Sequence, residues 1–114
     1  MDRARAAELL AAERQRVEEQ LHRLEAEFQP DALAGESDYG DQAADLTDRE
    51  RDLGRIDELR EELEAVARAE TRLAEGAYGI SIASGEPISD HRLERIPWAE
   101  RTADEQRLFE RGLL

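Results

Sequence analysis

The sequence predicts a mostly α-helical protein: an antiparallel two-helix coiled-coil hairpin, then a small C-terminal module that ends in a last helix. Charged residues make up 39% of the 114 residues and aromatic residues only 4%, so there is little material for a large core. Two long stretches without proline carry apolar residues at helical spacing, and a turn-rich segment separates them. The last third instead concentrates isoleucine, proline and tryptophan.

The first predicted helix covers residues 2–28. This stretch contains no glycine or proline and is rich in helix formers. Its apolar residues recur at steps of three and four, and Arg14 occupies the one missing slot of this near-heptad seam. Pro30 ends the helix because proline cannot continue the hydrogen-bond ladder. The predicted seam residues are Ala7, Leu10, Val17, Leu21, Leu24 and Phe28.

The second predicted helix runs from about Gln42 to Glu75, after a turn region over residues 30–41. The spacing of its seam slips around Gly54, which predicts a local irregularity there. Two helices of similar length, each with one apolar stripe, predict an antiparallel hairpin over residues 1–75, with its tip near 36–43. The predicted seam residues are Leu46, Leu53, Ile56, Leu59, Leu63, Val66 and Leu73.

The small module is predicted over residues 76–114, with Gly76 as the helix stop before it. The segment from Thr102 to Glu105 matches a capping box, so a last helix should begin there and reach about Arg111. We expect Leu108 and Phe109 to fold back onto an apolar core. The predicted residues of that core are Ile80, Ile82, Ile88, Leu93, Ile96 and Trp98.

The charge balance narrows the possible partners and chemistry. A net charge of −13, from 29 acidic and 16 basic residues, argues against direct DNA binding and against anionic membrane surfaces. With no cysteine there is no disulfide, thiolate metal site or cysteine nucleophile. No run is long and apolar enough to span a bilayer, and the first residues do not resemble a secretory signal. We expect a cytoplasmic protein with no catalytic residues and no cofactor, and not an enzyme.

Three motifs, spread over roughly residues 38–106, carry a resemblance to a known family. They are "DYGDQA" at the predicted hairpin tip, "YGISIASGEPI" after the second helix, and "RLERIPWAERTADEQ" before the last one. In this order and spacing they resemble the DksA/TraR family of bacterial transcription regulators. The second and third motifs are similar to the two halves of that family's zinc finger, so the small module is expected to be zinc-finger-like.

The resemblance implies a partner and a site. It implies that the chain binds RNA polymerase and not DNA, with the hairpin in the secondary channel and Asp38 and Asp41 directed toward the active centre. Ala43 matches the small residue that follows the second tip aspartate in the family. The residues alone also fit turn chemistry, since aspartate favours turns and helix N-termini. The alternatives are a Gre-like transcript-cleavage factor and an acidic coiled-coil adaptor that dimerises; we expect a monomer.

Two departures from the family pattern change what is expected. The four zinc cysteines correspond to Ser81, Ser84, Thr102 and Glu105. Hydroxyls are poor ligands for Zn²⁺ and one carboxylate cannot complete a site with four ligands, so the module is expected to bind no metal.

The second departure concerns the alarmone guanosine tetraphosphate. Family members that respond to it use basic residues at positions that align with Glu58 and Ala65. An acidic or neutral side chain removes the partner of the phosphate groups, so co-binding of guanosine tetraphosphate by that route is not expected.

Overall fold

Four helices form the described part of the chain in a computed structural model, which covers residues 1–27 and 42–114, with side chains of the second helix described from residue 46 onward. They are α1 (Arg3–Glu27), α2 (Gln42–Glu75), α3 (Asp90–Arg95) and α4 (Ala103–Glu110). The protein is therefore mostly helical, as predicted. Among these residues no helix is long and apolar enough to cross a membrane.

The chain forms two compact units. The hairpin unit comprises residues 16–63, and the module unit comprises residues 1–15 together with 64–114. The division drawn from sequence character, at residue 75, stays a prediction.

In the hairpin unit, parts of α1 and α2 lie antiparallel, since a later position in α1 pairs with an earlier one in α2. Arg16 pairs with Glu62 at 3.3 Å, and Arg55 donates to Gln20 at 3.3 Å. Three seam positions of this unit are deeply buried, as predicted: Val17, Ile56 and Leu59.

The N-terminal half of α2 departs from two expectations. Leu46 and Leu53 are 60% and 51% exposed, so neither belongs to the buried seam. The expected irregularity at Gly54 is also absent, because α2 is one continuous helix across it. Gly54 has open space around it, so a missing side chain there disturbs no packing.

The predicted stop at Gly76 is confirmed. Gly76 has a positive φ of 79°, a conformation that glycine adopts without the penalty that a side chain would bring. The Ala77 amide then donates to the Arg72 carbonyl at 2.8 Å, which satisfies one of the carbonyls left open at the helix end.

The core of the module unit consists of two small apolar clusters. Leu10 of α1 packs with Val66 and Ala69 of α2, while Ile88, Leu93 and Ala99 form the second cluster. In the first turn of α1 the buried residue is Ala6, not the predicted Ala7.

Tyr78 joins the two clusters because its ring packs against both. Its hydroxyl donates to the Pro97 carbonyl at 2.8 Å. Burial raises the pKa of Tyr78 to about 12, so the phenol stays neutral and keeps donating at ordinary pH. One aromatic side chain thus connects the end of α2 to the segment after α3.

Two predicted core residues of the module, and the two residues expected to pack onto that core, are exposed instead. Ile80 and Ile82 are 42% and 52% exposed, and Leu108 and Phe109 are 39% and 45% exposed. Ile80 instead forms an isolated antiparallel bridge with Pro87. The guanidinium of Arg101 lies 3.6 Å above the ring of Phe109, so this ring meets a cation and not the core.

Helix α3 was not predicted from the sequence. Ser89 caps it, and the Ser89 hydroxyl accepts from the Arg92 amide at 3.2 Å. Ser89 followed by Asp90 is an N-terminal pattern that could have revealed this helix. The short helix buries Leu93 and so closes the second cluster.

Candidate functional site

The predicted tip residues are Asp38, Asp41 and Ala43. Asp38 and Asp41 lie outside the described residues, and Ala43 is in α2 with its side chain outside them. The assignment of these residues to a partner-binding tip therefore stays a prediction.

The four positions that align with zinc cysteines are brought together. The Ser81 hydroxyl donates to Oε1 of Glu105 at 2.7 Å. The Thr102 amide donates to the same oxygen at 2.8 Å, and the Thr102 hydroxyl accepts from the Glu105 amide at 3.2 Å. The Ser84 hydroxyl also acts on the Glu105 carboxylate and lowers its pKa. The predicted capping box is confirmed, and its glutamate extends to the 81–84 turn.

Ser81 is the centre of the turn. It is buried to 3% exposure, the only polar residue so deeply buried in the described part of the chain. Its oxygen accepts from the amides of Ala83 at 3.0 Å and Ser84 at 3.2 Å while it donates to Glu105. A buried hydroxyl without partners would be costly, and here every bond it can make is formed.

The electrostatics of Glu105 follow from these donors. Hydrogen bonds from the Ser84 hydroxyl, then the Ser81 hydroxyl and the Thr102 amide, lower the pKa of Glu105 to about 2. Each of these donors is uncharged and favours the ionised carboxylate, which accepts without giving a proton. The group is therefore a fixed negative charge across the ordinary pH range.

This donor set does not fit zinc. Three of the four side chains are neutral hydroxyls, whereas Zn²⁺ selects thiolate, imidazole and carboxylate. The Ser81 oxygen already has three hydrogen-bond partners, and Glu105 Oε1 receives two donors. Within the described ranges, no group of three or more histidine, aspartate or glutamate side chains is placed to hold a metal ion.

A second polar cluster, missed by sequence reasoning, fastens the module to α2. Glu100 accepts two hydrogen bonds from Arg68, at 2.9 and 3.1 Å, and one from Arg72 at 3.3 Å. The side chain of Glu100 is only 16% exposed, and the hydrogen bonds from Arg68 lower its pKa. These partners lie too far apart in sequence for any spacing pattern to pair them.

A third contact joins α1 to α3. Arg5 holds Glu94 through two hydrogen bonds, at 3.2 and 2.9 Å, and this contact lowers the pKa of Glu94. The pair is solvent-exposed, so its contribution to stability is small. It does orient α3 against the start of α1.

The comparisons with known proteins agree with this architecture. The chain is 35% identical over 75 residues to DksA of Caulobacter vibrioides, in two strains, described as an RNA polymerase-binding transcription factor. The match covers 66% of the chain and 53% of those proteins, so the chain spans about half the length of the curated relatives it matches. A comparison with protein-family models finds no match.

A solved structure matches nearly the whole chain. The structure of transcription factor DksA2 from Pseudomonas aeruginosa superposes with a TM-score of 0.80 and 26% identity, covering 96% of this chain and 84% of that one. Sequence and fold thus agree with the resemblance carried by the three motifs, since the chain is similar to DksA proteins in both.

Proposed function

We propose that this chain regulates transcription by binding RNA polymerase. The observation that carries the proposal is the shared architecture, which matches transcription factor DksA2 over 96% of the chain. The Caulobacter relatives, described as RNA polymerase-binding transcription factors, add sequence support at 35% identity.

The finer part of the proposal concerns how the hairpin acts. It enters the secondary channel of the polymerase and presents Asp38 and Asp41 near the active centre, where carboxylates can perturb Mg²⁺ or substrate geometry. Ala43 leaves room beside them. Two antiparallel helix segments with charged outer faces, linked by pairs such as Arg60–Glu25 at 3.1 Å, suit insertion into a narrow polar channel.

The remaining expectations belong to the same proposal. The chain acts in the cytoplasm as a monomeric regulator, not an enzyme, without touching DNA and without a cofactor. Guanosine tetraphosphate does not bind by the family's route. In support, Glu58 is engaged by Arg55 at 3.2 Å, and Ala65 is buried within α2. Neither residue offers a cation to a phosphate group.

The test is a pull-down with purified bacterial RNA polymerase followed by an initiation assay. Wild type should be retained by the polymerase and alter initiation. The variant Asp38→Asn/Asp41→Asn should be retained but lose most of its effect on initiation. A matched control, Asp57→Asn/Glu61→Gln, makes the same charge change on the exposed face of α2 and should behave as wild type.

Two outcomes contradict different parts of the proposal. If wild type is not retained at moderate salt, polymerase binding is wrong. If the tip variant alters initiation as strongly as wild type, binding stands but the tip assignment is wrong.

The comparisons do not favour a Gre-like factor or an acidic adaptor over this function. An assay of transcript cleavage in backtracked complexes distinguishes a Gre-like factor from the proposed regulator of initiation. Strong stimulation of cleavage that Asp41→Asn abolishes would establish the Gre-like role instead. A stable dimer in sedimentation that ignores polymerase would establish the adaptor.

A further inference from the structure

Helix α4 is held in place by polar contacts and not by burial. None of its eight residues is buried, and its two large apolar side chains, Leu108 and Phe109, are 39% and 45% exposed. An isolated helix of this length is not stable in water. Whatever fastens its first turn therefore decides whether α4 forms at all.

The fastening point is Glu105. Its Oε1 accepts at once from the Ser81 hydroxyl, at 2.7 Å, and from the Thr102 amide, at 2.8 Å. The first donor belongs to the 81–84 turn and the second to the N-cap of α4. One oxygen atom thus connects two chain segments that are distant in sequence.

We infer that the Glu105 carboxylate takes the structural place of a metal ion in this module. The metal ion of a zinc finger crosslinks two chain segments, because each segment supplies some of its ligands. Here a fixed negative charge does the same through hydrogen bonds from neutral donors. The module accordingly folds without any metal.

The same contacts work against metal binding. A cation at this place would have to displace Ser81 and Thr102 from Glu105 Oε1, and would leave the Ser81 hydroxyl with one bond fewer at 3% exposure. It would gain one carboxylate and weak hydroxyl ligands in return. The inference rests on the module alone and does not depend on polymerase binding.

Amide hydrogen exchange over residues 103–110 tests the role of the carboxylate. Glu105→Ala should raise exchange rates in α4 at least about tenfold, since hydrogen bonds to a charged group are lost. Glu105→Gln, which keeps an acceptor oxygen without the charge, should fall between. The matched control Glu110→Ala removes an exposed carboxylate from the same helix and should leave the rates near wild type.

Equal exchange in Glu105→Ala and Glu110→Ala would overturn the inference. So would Glu105→Gln behaving as wild type, because the charge would then contribute nothing. Glu105 and Glu110 both lie outside the apolar clusters, so the rest of the module should remain folded in every variant.

Metal binding is measured directly on the purified protein. Treatment with EDTA, and addition of Zn²⁺ alone, should each leave the melting temperature unchanged. Stoichiometric zinc whose removal lowers the melting temperature would overturn the inference.

A four-cysteine variant, S81C/S84C/T102C/E105C, tests whether the four positions converge. It should bind Co²⁺ and show the absorption bands of tetrahedral thiolate coordination, and its melting temperature should become sensitive to EDTA. Absence of these bands would show that the four positions do not surround one point and would contradict the proposed replacement.

Discussion

At the scale of single residues, Glu105 makes the stability of the module depend on pH. Its pKa is lowered from an ordinary value of 4.5 to about 2 in the folded state. A carboxyl with a lowered pKa stabilises the fold while ionised, so this contribution is complete above about pH 4.5 and is lost as the pH falls toward 2. The free energy of unfolding, measured against pH, should show this loss in wild type.

The variant Glu105→Gln isolates the effect, because it has no group to titrate. The difference in unfolding free energy between wild type and Glu105→Gln should shrink as the pH falls from 4.5 to 2. A difference that stays constant over that range would show that the carboxylate is not selectively stabilised in the fold. Glu110→Gln, which changes an exposed carboxylate in the same helix, serves as the control.

Arg14 and Glu70 show how a charged pair can occupy seam positions. The Nε of Arg14 lies 3.1 and 3.2 Å from the two carboxylate oxygens of Glu70, and both side chains are about one-third exposed. Removing one partner leaves the other charge partly buried without this ion pair. Arg14→Leu or Glu70→Leu alone should therefore lower the unfolding free energy by about 1 kcal/mol.

The double variant Arg14→Leu/Glu70→Leu completes the apolar stripe and should recover that loss or exceed it. Chemical denaturation of all four proteins gives the coupling energy. A double variant as unstable as the sum of the singles would show that the two side chains do not act as a pair.

At the scale of elements, Gly54 inside α2 and Gly76 directly after it should respond in opposite ways to substitution by alanine. Gly76 has a φ of 79°, so Gly76→Ala should lower the unfolding free energy by roughly 1 kcal/mol. Gly54 lies inside the helix, so Gly54→Ala should raise it by roughly 0.5–1 kcal/mol. An added Cβ meets nothing within 4 Å at either site, so backbone conformation alone separates the two. Thermal unfolding of both variants measures these changes. Unfolding free energies that change in the same direction would contradict this account.

The attachment of the module to α2 depends on one carboxylate. Glu100→Gln should lower the unfolding free energy by about 1–2 kcal/mol, because charge-assisted hydrogen bonds from Arg68 and Arg72 become neutral ones. Glu61→Gln, an exposed change on α2, is the control. Urea denaturation provides the measurement, and equal stability of the two variants would contradict a role for Glu100.

At the scale of the whole molecule, the net charge of −13 predicts how the proposed complex responds to salt. A strongly acidic protein is steered toward a positively charged surface of its partner by long-range attraction, which salt screens. The association rate with RNA polymerase should therefore fall several-fold between about 0.05 and 0.3 M salt. Stopped-flow or surface-based kinetics measures it. A rate independent of salt would show that the charge does not steer binding.

The local features of the fold were predictable because each depends on residues within a turn or two. The helix stop at Gly76 and the capping box from Thr102 to Glu105 follow from near-neighbour hydrogen bonding, and both are confirmed. Helix α3 was missed because six residues are too few for a periodic pattern. Ile80 and Ile82 were misassigned because hydrophobicity alone does not tell which face of a turn is covered.

The sequence by itself determined the helical class, the absence of thiolate ligands and the resemblance to the DksA/TraR family, because composition, periodicity and the order of motifs can be read directly from the chain. Only the tertiary structure decided which polar side chains meet within the module. Ser81 meets Glu105 across 24 positions, and Arg68 meets Glu100 across 32. Such pairs depend on how α3 and the apolar clusters fold the chain back on itself, and no local rule contains that information.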